Sequence, residues 1–303
     1  MSSVNMTSAH GAALENAGEV EGRSLWQDAW RRLKRNRAAL ASMIILAVIA
    51  LVCLLGPYTL PWPYDAIDWD HVEAMPPNME LGHYLGTDSV GRDLLARTLV
   101  GGRVSLMVGI LATMVALFIG VTVGAVAGFV GGRVDQLLMR LVDLLYSVPL
   151  TFFVIILMVM FGRNFILMFL AIGAVEWLTM ARIVRGQTLS LKSKEFIEAA
   201  RASGGSTAGI ILRHIVPNVL GVVIVYVTLT IPQVILLESF LSFLGLGVQE
   251  PLTSWGVLLN EGAAELEVNP QTLIVPAVFM TATLFCFNFL GDGLRDALDP
   301  KDR

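Results

Sequence analysis

Six long apolar stretches constrain this sequence more than any other feature. Each runs for roughly 20 residues, the length that a helix needs to cross the hydrocarbon core of a bilayer. Only 15% of the 303 residues are charged, which is too few for the water-facing surface of a soluble protein. The net charge of −4 argues against a basic nucleic-acid-binding protein. We therefore predict an all-α membrane protein with six transmembrane helices. The predicted spans are Ala38–Leu60, Val104–Val130, Leu137–Phe161, Phe165–Ile183, Val219–Leu237 and Leu273–Leu290.

The positive residues predict how these spans are oriented. Seventeen of the 21 Lys and Arg residues fall in the two tails and in two of the connections, all on one side of the predicted membrane. Positive residues are enriched in cytoplasmic loops, so both termini are predicted to be cytoplasmic. The four exceptions, which fall on the outer side, are Arg92, Arg97, Arg103 and Arg163.

The first 37 residues are polar and lack the apolar core of a signal peptide. Within them, Ser24–Asn36 predicts an amphipathic helix at the membrane surface. Trp26, Trp30 and Leu33 fall on one face of this helix, and cations cover the rest.

The spans divide the chain into five predicted regions. These are a cytoplasmic tail (1–37), a first transmembrane helix (38–60), an extracytoplasmic loop (61–103), a five-helix core (104–291) and a second cytoplasmic tail (292–303). The core contains a long cytoplasmic loop at 185–218, and the extracytoplasmic loop is acidic and aromatic.

Several residues within the spans have predicted roles. Gly120, Gly124 and Gly128 share one helix face, where small residues let a neighbouring helix approach closely. The apolar run from 219 to 247 is longer than one span, so we expect a kink at Pro232. The span should end near Leu237, followed by a short outer helix over 238–245. Glu176 and Glu238 are candidates either for a path or interface or for a structural hydrogen bond.

Three classes of site are not predicted. A disulfide or a metal site built on a cysteine pair is not predicted, because Cys53 and Cys286 both lie inside apolar stretches and are interpreted as small apolar side chains that pack there. The four His residues are far apart and outside the spans, so no metalloprotease motif is present. A P-loop needs Gly before Lys-Ser, but Leu191 precedes Lys192, so no nucleotide site is predicted in this chain.

The cytoplasmic loop at 194–217 has the most informative pattern. One helix face is small or apolar, formed by Phe196, Ala199, Ala200 and Ser203. Glu195, Glu198 and Arg201 lie off that face. Gly204 and Gly205 should end the helix, and Ser206 can cap a second helix that runs towards Pro217. Periodicity alone leaves a simple connector as an equal alternative.

Three blocks of this sequence resemble a known family. Glu198-Ala199-Ala200, Gly204 and Pro217 reproduce the EAA-loop spacing of bacterial ABC-importer permeases, with His214 and Val216 as departures. Two further blocks, 86–95 (GTDSVGRDLL) and 289–300 (FLGDGLRDALDP), resemble the C-subunit branch of the peptide/nickel permeases. The resemblance covers nearly the whole chain from about residue 21.

The resemblance implies a type I ABC-importer permease fold in the bacterial inner membrane, with oligopeptides as cargo. It implies four protein partners: a homologous B-type permease, two ABC ATPase subunits that bind ATP and Mg²⁺, and an extracytoplasmic peptide-binding protein. No cofactor and no nucleic acid is expected on this chain itself. The implied ATPase-coupling residues are Glu195, Glu198, Ala199, Ala200, Arg201, Gly204, Gly205 and Pro217. The candidate path or interface residues are Glu176, Pro232 and Glu238, and the candidate docking residues for the binding protein are Asp65, Asp68, Asp70 and Asp88.

Other functions remain as alternatives at this point. The cargo could be a dipeptide, nickel or glutathione, because oligopeptide specificity rests on resemblance. An ion-driven secondary transporter would need no ATPase partner. An intramembrane enzyme is disfavoured, because no His lies within the predicted spans to bind a catalytic metal or to form a Ser–His pair.

Overall fold

The computed structural model describes residues 25–298, and these residues form helices joined by turns and by one folded loop region. The predicted tails therefore lie partly outside the described residues. The helices are α1 (Leu25–Arg35), α2 (Arg37–Leu55), α3 (Leu94–Val130), α4 (Gly132–Tyr146), α5 (Leu150–Phe161), α6 (Phe165–Lys192), α7 (Glu195–Ala202), α8 (Thr207–Ile210), α9 (Val216–Phe243), α10 (Trp255–Ala264) and α11 (Gln271–Leu298).

Five helical segments of the described chain are long and apolar enough to cross a membrane. The sixth predicted span, Leu137–Phe161, is not one straight helix. It consists of α4 and α5, which are bent by 82° relative to each other and count as one span only if taken together. The break falls at Pro149, whose backbone is extended (ψ 111°). Proline lacks an N–H donor and disfavours helical backbone in the residue before it, which explains the break at this point.

The glycine row on α3 packs against α6, as the spacing predicts for a neighbouring helix. A Cβ added at Gly120 would lie 2.6 Å from the Cβ of Met180, and one at Gly124 would lie 2.5 Å from the carbonyl oxygen of Ala181. A Cβ at Gly128 would meet Thr188 at 2.8 Å. The two helices approach too closely for any larger residue, so the row fixes their contact over about two turns.

The helix that contains Pro232 is longer than predicted. It runs without a break to Phe243, so the expected end near Leu237 and the separate helix over 238–245 are wrong. At its other end, the helix capped by Ser206 does not stop at Pro217. It passes through a π-helical turn, Ile211–Ile215, into α9. The wider turn accommodates the proline ring without ending the helix.

The first helix is held by the end of the last one. Ala29 and Leu33 of α1 are buried against Ala297, with Ala39 in the same cluster. Leu33 was predicted to face the membrane with Trp30, but the packing places it against the protein. Trp30 itself is exposed. Both cysteines, in α2 and α11, are buried as free thiols.

Candidate functional site

Two regions, at opposite ends of α3, carry most of the polar chemistry. We call residues 194–206 the EAA turn, and residues 56–97, which include the first turn of α3, together with 244–270 the outer cap. The helix between them has 37 residues, which corresponds to about 55 Å at 1.5 Å per residue. The two regions are therefore separated by more than the thickness of a bilayer core.

The EAA turn is attached to the bundle by one side chain. Ile197 is fully buried in a cluster that includes Phe129, Met180 and Ile215. This residue was not predicted, because it lies outside the small-residue face. Its burial seats α7 against the ends of α3 and α6 and turns the remaining faces of the helix outwards.

The glycines end α7 as the sequence predicts. Gly204 has a φ of +81°, and its N–H donates to the carbonyl of Arg201 at 2.9 Å. The N–H of Gly205 donates to the carbonyl of Ala200 at 3.0 Å. This pair of bonds is the Schellman motif, in which the left-handed residue is usually glycine. Ser206 then begins the next helix, where its Oγ accepts a bond from the N–H of Gly209 at 3.1 Å.

The outward surface of the EAA turn holds charges that have no partner within the described chain. Glu195 and Glu198 are exposed, and the carboxylate of neither forms a hydrogen bond or ion pair with another described residue. The guanidinium of Arg201 lies 4.7 Å from the centre of the Phe129 ring. Ala199 is exposed between these charges, and Ala200 is half-buried. A small, charged and unoccupied helix face of this kind suits close docking of another protein.

Pro217 lies apart from this face, at the start of α9. It is exposed and lines a cleft of about 850 Å³ between α1, α6, α9 and α11. Gln187 and Gln233 line the cleft from α6 and α9, and Arg295 lines it from α11. The predicted coupling residues therefore form one exposed cluster, with Pro217 outside it.

Several charged residues of the outer cap form ion pairs with one another. Arg97 is buried, with Nη1 3.1 Å from Asp88 and Nη2 2.8 Å from Glu261. The Oδ2 of Asp88 also accepts a bond from Arg92 at 2.7 Å, and Arg92 reaches Glu250 at 2.8 Å. Bonds from Arg92 lower the pKa of Glu250, whereas burial raises the pKa of Glu261. The network ties the segment before α3 to the segment around α10.

A second buried group holds the cap to the start of α3. The ring of His83 is fully buried, and its Nδ1 lies 2.9 Å from Asp93. Asp93 also caps α3, accepting a bond from the N–H of Ala96 at 2.7 Å. Burial favours a higher pKa for Asp68, but bonds from His71 and from the N–H of Asp70, together with the ring of His83 3.5 Å away, outweigh it, and the pKa is lowered.

These contacts change the interpretation of the predicted docking acids. Asp65 and Asp70 are exposed and stay candidates for contact with a binding protein. Asp68 and Asp88 are 6% and 4% exposed and are bonded within the cap, so they are not free for direct docking. The block at 86–95 is thus a structural element, in which Asp88 and Asp93 position the cap on α3.

The three candidate path or interface residues have different surroundings. Glu238 is fully buried and accepts bonds from the hydroxyls of Ser242 at 2.7 Å and Ser105 at 3.0 Å. It therefore has the structural role that the sequence left open, joining α9 to α3. Glu176 is half-buried in α6 and has no bond to any other described residue, so it stays a candidate. Pro232 is buried in the middle of α9.

Some important residues were missed by the sequence analysis. Trp255 is fully buried, and its indole N–H donates to the carbonyl of Thr98 at 3.0 Å. Arg97 was counted only for topology, although an arginine so close to an apolar run is a signal for a buried ion pair. Glu261 gave no sequence signal, because its partner is 164 residues away.

Comparison with known proteins identifies the family. The family model for the binding-protein-dependent transport system inner membrane component matches residues 120–303. The chain belongs to this family. A second model, for the N-terminal transmembrane domain of oligopeptide transport permease C, matches residues 24–77. The chain is thus a multi-pass membrane component of a transport system.

Relatives within the family agree with this assignment. The oligopeptide transport system permease protein OppC of Escherichia coli K12 is 65% identical over 285 residues, or 94% of each chain. The OppC protein of Bacillus subtilis is 42% identical over 96% of each chain. The dipeptide transport system permease protein DppC of B. subtilis is 44% identical over 92% of this chain and 87% of its own length.

A solved structure shows the same fold. A chain from the structure titled as inward-facing conformations of the MetNI methionine ABC transporter aligns with a TM-score of 0.55. The alignment covers 68% of this chain and 96% of that one, at 17% identity. The similarity supports an all-helical fold of the ABC-transporter permease type.

Proposed function

We propose that this chain is a permease subunit of an ATP-driven importer of oligopeptides in the bacterial inner membrane. It pairs with a homologous permease to form the path, and a substrate-binding protein delivers the peptide from outside. The observation that carries the proposal is the exposed, uncommitted face of the EAA turn, on a chain that is 65% identical to a protein named as an oligopeptide permease.

Both chain termini and the EAA turn lie on the cytoplasmic side in this proposal. The support is the excess of Lys and Arg in the corresponding segments. The outer cap is then extracytoplasmic, where Asp65 and Asp70 are exposed for docking of the binding protein.

ATP is hydrolysed by two partner subunits, which also hold the Mg²⁺, while this chain converts their motion into movement of helices. Short connections link the EAA turn to α6 on one side and to the helix beginning at Thr207 on the other. Because Ile197 is buried in the bundle, a displacement of α7 pulls on both helices and on the end of α3. Rigid helices carry the displacement towards the outer side, where Glu238 joins α9 to α3.

The path alternates its access between the two sides as the ATPases close and reopen. Closure on ATP binding moves the EAA turns of the two permeases and opens the path outwards to accept a peptide. Hydrolysis returns the path to the inward-open state. Glu176, which is half-buried and unbonded, is placed to contact cargo or the second permease.

The cargo could still be narrower or different within this family. The glutathione transport system permease protein GsiD of Shigella flexneri is 40% identical over 92% of this chain. A competition experiment separates these possibilities. Uptake of a labelled oligopeptide is measured in the presence of unlabelled tripeptides to pentapeptides, a dipeptide, glutathione or Ni²⁺. Oligopeptide import predicts that only the longer peptides compete efficiently.

The coupling role is tested by substitutions in the assembled complex. Glu198→Lys reverses an exposed, unbonded charge, and Gly204→Val forces a β-branched residue into a left-handed conformation. Gly204→Asn is the matched control, because asparagine tolerates that conformation far better. We expect Glu198→Lys and Gly204→Val to assemble in the membrane but to lose peptide uptake per ATP hydrolysed, and Gly204→Asn to retain more of it.

Assembly is verified in the same preparations. The complex should co-purify with a second permease and two ATPase subunits. Normal uptake and normal peptide-stimulated ATPase activity in both disruptive variants would contradict the coupling role. A transport-competent oligomer of this chain alone would contradict the whole proposal and favour a secondary transporter.

A further inference from the structure

A cavity at the rim of the outer cap has an unusual pair of charged residues. Its volume is about 410 Å³, and it lies between the end of α2, the outer cap, α3 and the start of α6. Arg103 and Asp65 both line it, together with the two tyrosines Tyr58 and Tyr64. Neither charged residue forms an ion pair with any other described residue. The cavity therefore offers one cation and one anion that the chain itself leaves uncompensated.

The cation is held firmly in place. The guanidinium of Arg103 donates to the carbonyls of Cys53 at 3.3 Å and Leu54 at 2.8 Å, near the end of α2. It also lies 5.1 Å from the centre of the Tyr58 ring. A third bond runs from its Nη1 to the hydroxyl of Tyr58 at 3.4 Å, so two of the five N–H donors of the guanidinium remain for a ligand that reaches the cavity.

An apolar stripe leads away from the cavity along α3. Met107 belongs to both, and Ile110, Met114 and Phe118 follow it at helical spacing on the same face. Each of these four side chains is between 44% and 75% exposed. From Met107 to Phe118 the stripe is about 16 Å long at 1.5 Å per residue, close to half of a bilayer core of about 30 Å.

We propose that this cavity binds the headgroup of a zwitterionic phospholipid, with its acyl chains along the stripe. The lipid phosphate takes the free N–H donors of Arg103, and the ammonium of a phosphoethanolamine headgroup faces Asp65, which leaves Asp70 as the candidate for contact with a binding protein. Tyrosines at such a position suit the membrane interface, where aromatic residues are enriched. In the orientation proposed above, the lipid belongs to the outer leaflet.

The apolar stripe favours a lipid over the other zwitterion available, a peptide. A peptide could bind the same two charged residues. Its polar backbone, however, would not pack favourably along an apolar stripe that extends through the depth of one leaflet. The remaining lining of the cavity is also largely apolar, with Val100, Val104, Phe165 and Leu252. These neighbours suit the glycerol region and the first carbons of the acyl chains.

Native mass spectrometry of the delipidated complex tests the site, with phosphatidylethanolamine and phosphatidylglycerol as probes. Wild type should bind phosphatidylethanolamine several-fold better than phosphatidylglycerol. Asp65→Asn removes only the ammonium partner, so this preference should shrink several-fold while binding of phosphatidylglycerol persists. Arg103→Gln should lose most binding of both lipids. Arg163→Gln, which changes an exposed arginine outside the cavity, should match wild type.

Asp65→Asn keeps the test decisive, because Asp65 makes no bond within the described chain and its loss should not disturb folding. An unchanged lipid preference in that variant would overturn the proposal. Displacement of the lipid by peptide would assign the cavity to the cargo path instead. Efficient cross-linking of a Met107→Cys variant to the second permease would also overturn it, since the stripe would then be a subunit interface.

Discussion

The outer cap and the EAA turn both contain conspicuous charged residues, but the two regions use them in opposite ways. In the cap, Arg97, Asp88 and Glu261 are bonded to one another, and Asp88 and Arg97 are almost fully buried. In the EAA turn, Glu195 and Glu198 are exposed, and their carboxylates are bonded to no other described residue. A charged motif in such a chain can therefore either stabilise the fold through internal ion pairs or remain exposed for contact with another protein. Burial and bonding distinguish the two roles where sequence cannot.

The largest effect should follow the loss of Arg97. Arg97→Met removes the buried cation that Asp88 and Glu261 share. Arg92 still bonds Asp88, so the cost should be about 3 kcal/mol, at the low end for a broken buried ion pair. We expect a much lower unfolding temperature in detergent and less protein in the membrane. Arg201→Met in the EAA turn is the matched control, and should change stability by no more than about 0.5 kcal/mol. Equal stability of the two variants would remove the distinction between the regions.

A pair of helix caps gives a smaller contrast. Asp93 caps α3 inside the outer cap and also holds His83, whereas Ser206 caps an exposed helix beside the EAA turn. Asp93→Ala should cost about 2 kcal/mol or more, because it removes the cap and leaves a buried ring without its partner. Ser206→Ala should cost about 1 kcal/mol or less. Thermal unfolding of both variants measures the difference, and a larger loss for Ser206→Ala would be inconsistent with the account.

The smallest contrast is in the response to acid. The folded state lowers the pKa of Asp68, so its stabilisation is present above the pKa of the unfolded chain. That stabilisation is lost as the pH falls through the lower folded pKa. Below about pH 4, wild type should therefore lose stability more steeply than Asp68→Asn. Glu198→Gln in the EAA turn is the control variant, because it removes an exposed carboxylate that bonds no other described residue. An unchanged slope in Asp68→Asn would show that Asp68 contributes nothing there.

Features set by local chemistry could be predicted from the sequence. Hydropathy predicts which segments are apolar enough to span, and the spacing of Gly120, Gly124 and Gly128 predicts a close helix contact. The end of α7 at Gly204 and the cap at Ser206 depend on residues within one or two turns. These features need no knowledge of distant parts of the chain.

Features set by distant partners could not be predicted. Arg97 meets Glu261 across 164 residues, and Asn269 bonds the carbonyl of Thr87 across 182. The roles of Asp68 and Asp88 followed from such packing, as did the structural role of Glu238. The effect of proline also depends on its surroundings. Pro149 breaks a predicted span, whereas Pro217 and Pro232 lie within a helix that continues.

Cysteine cross-linking in the assembled complex tests the central claim most directly. Ala199→Cys places a thiol on the exposed face of the EAA turn, and Glu80→Cys places one on the exposed surface of the outer cap. The two native cysteines are buried, so they should not interfere. We predict that Ala199→Cys cross-links to an ATPase subunit in a yield that changes with ATP, and that Glu80→Cys never does. Failure of Ala199→Cys to reach any ATPase subunit in a complex that transports peptide would contradict the account.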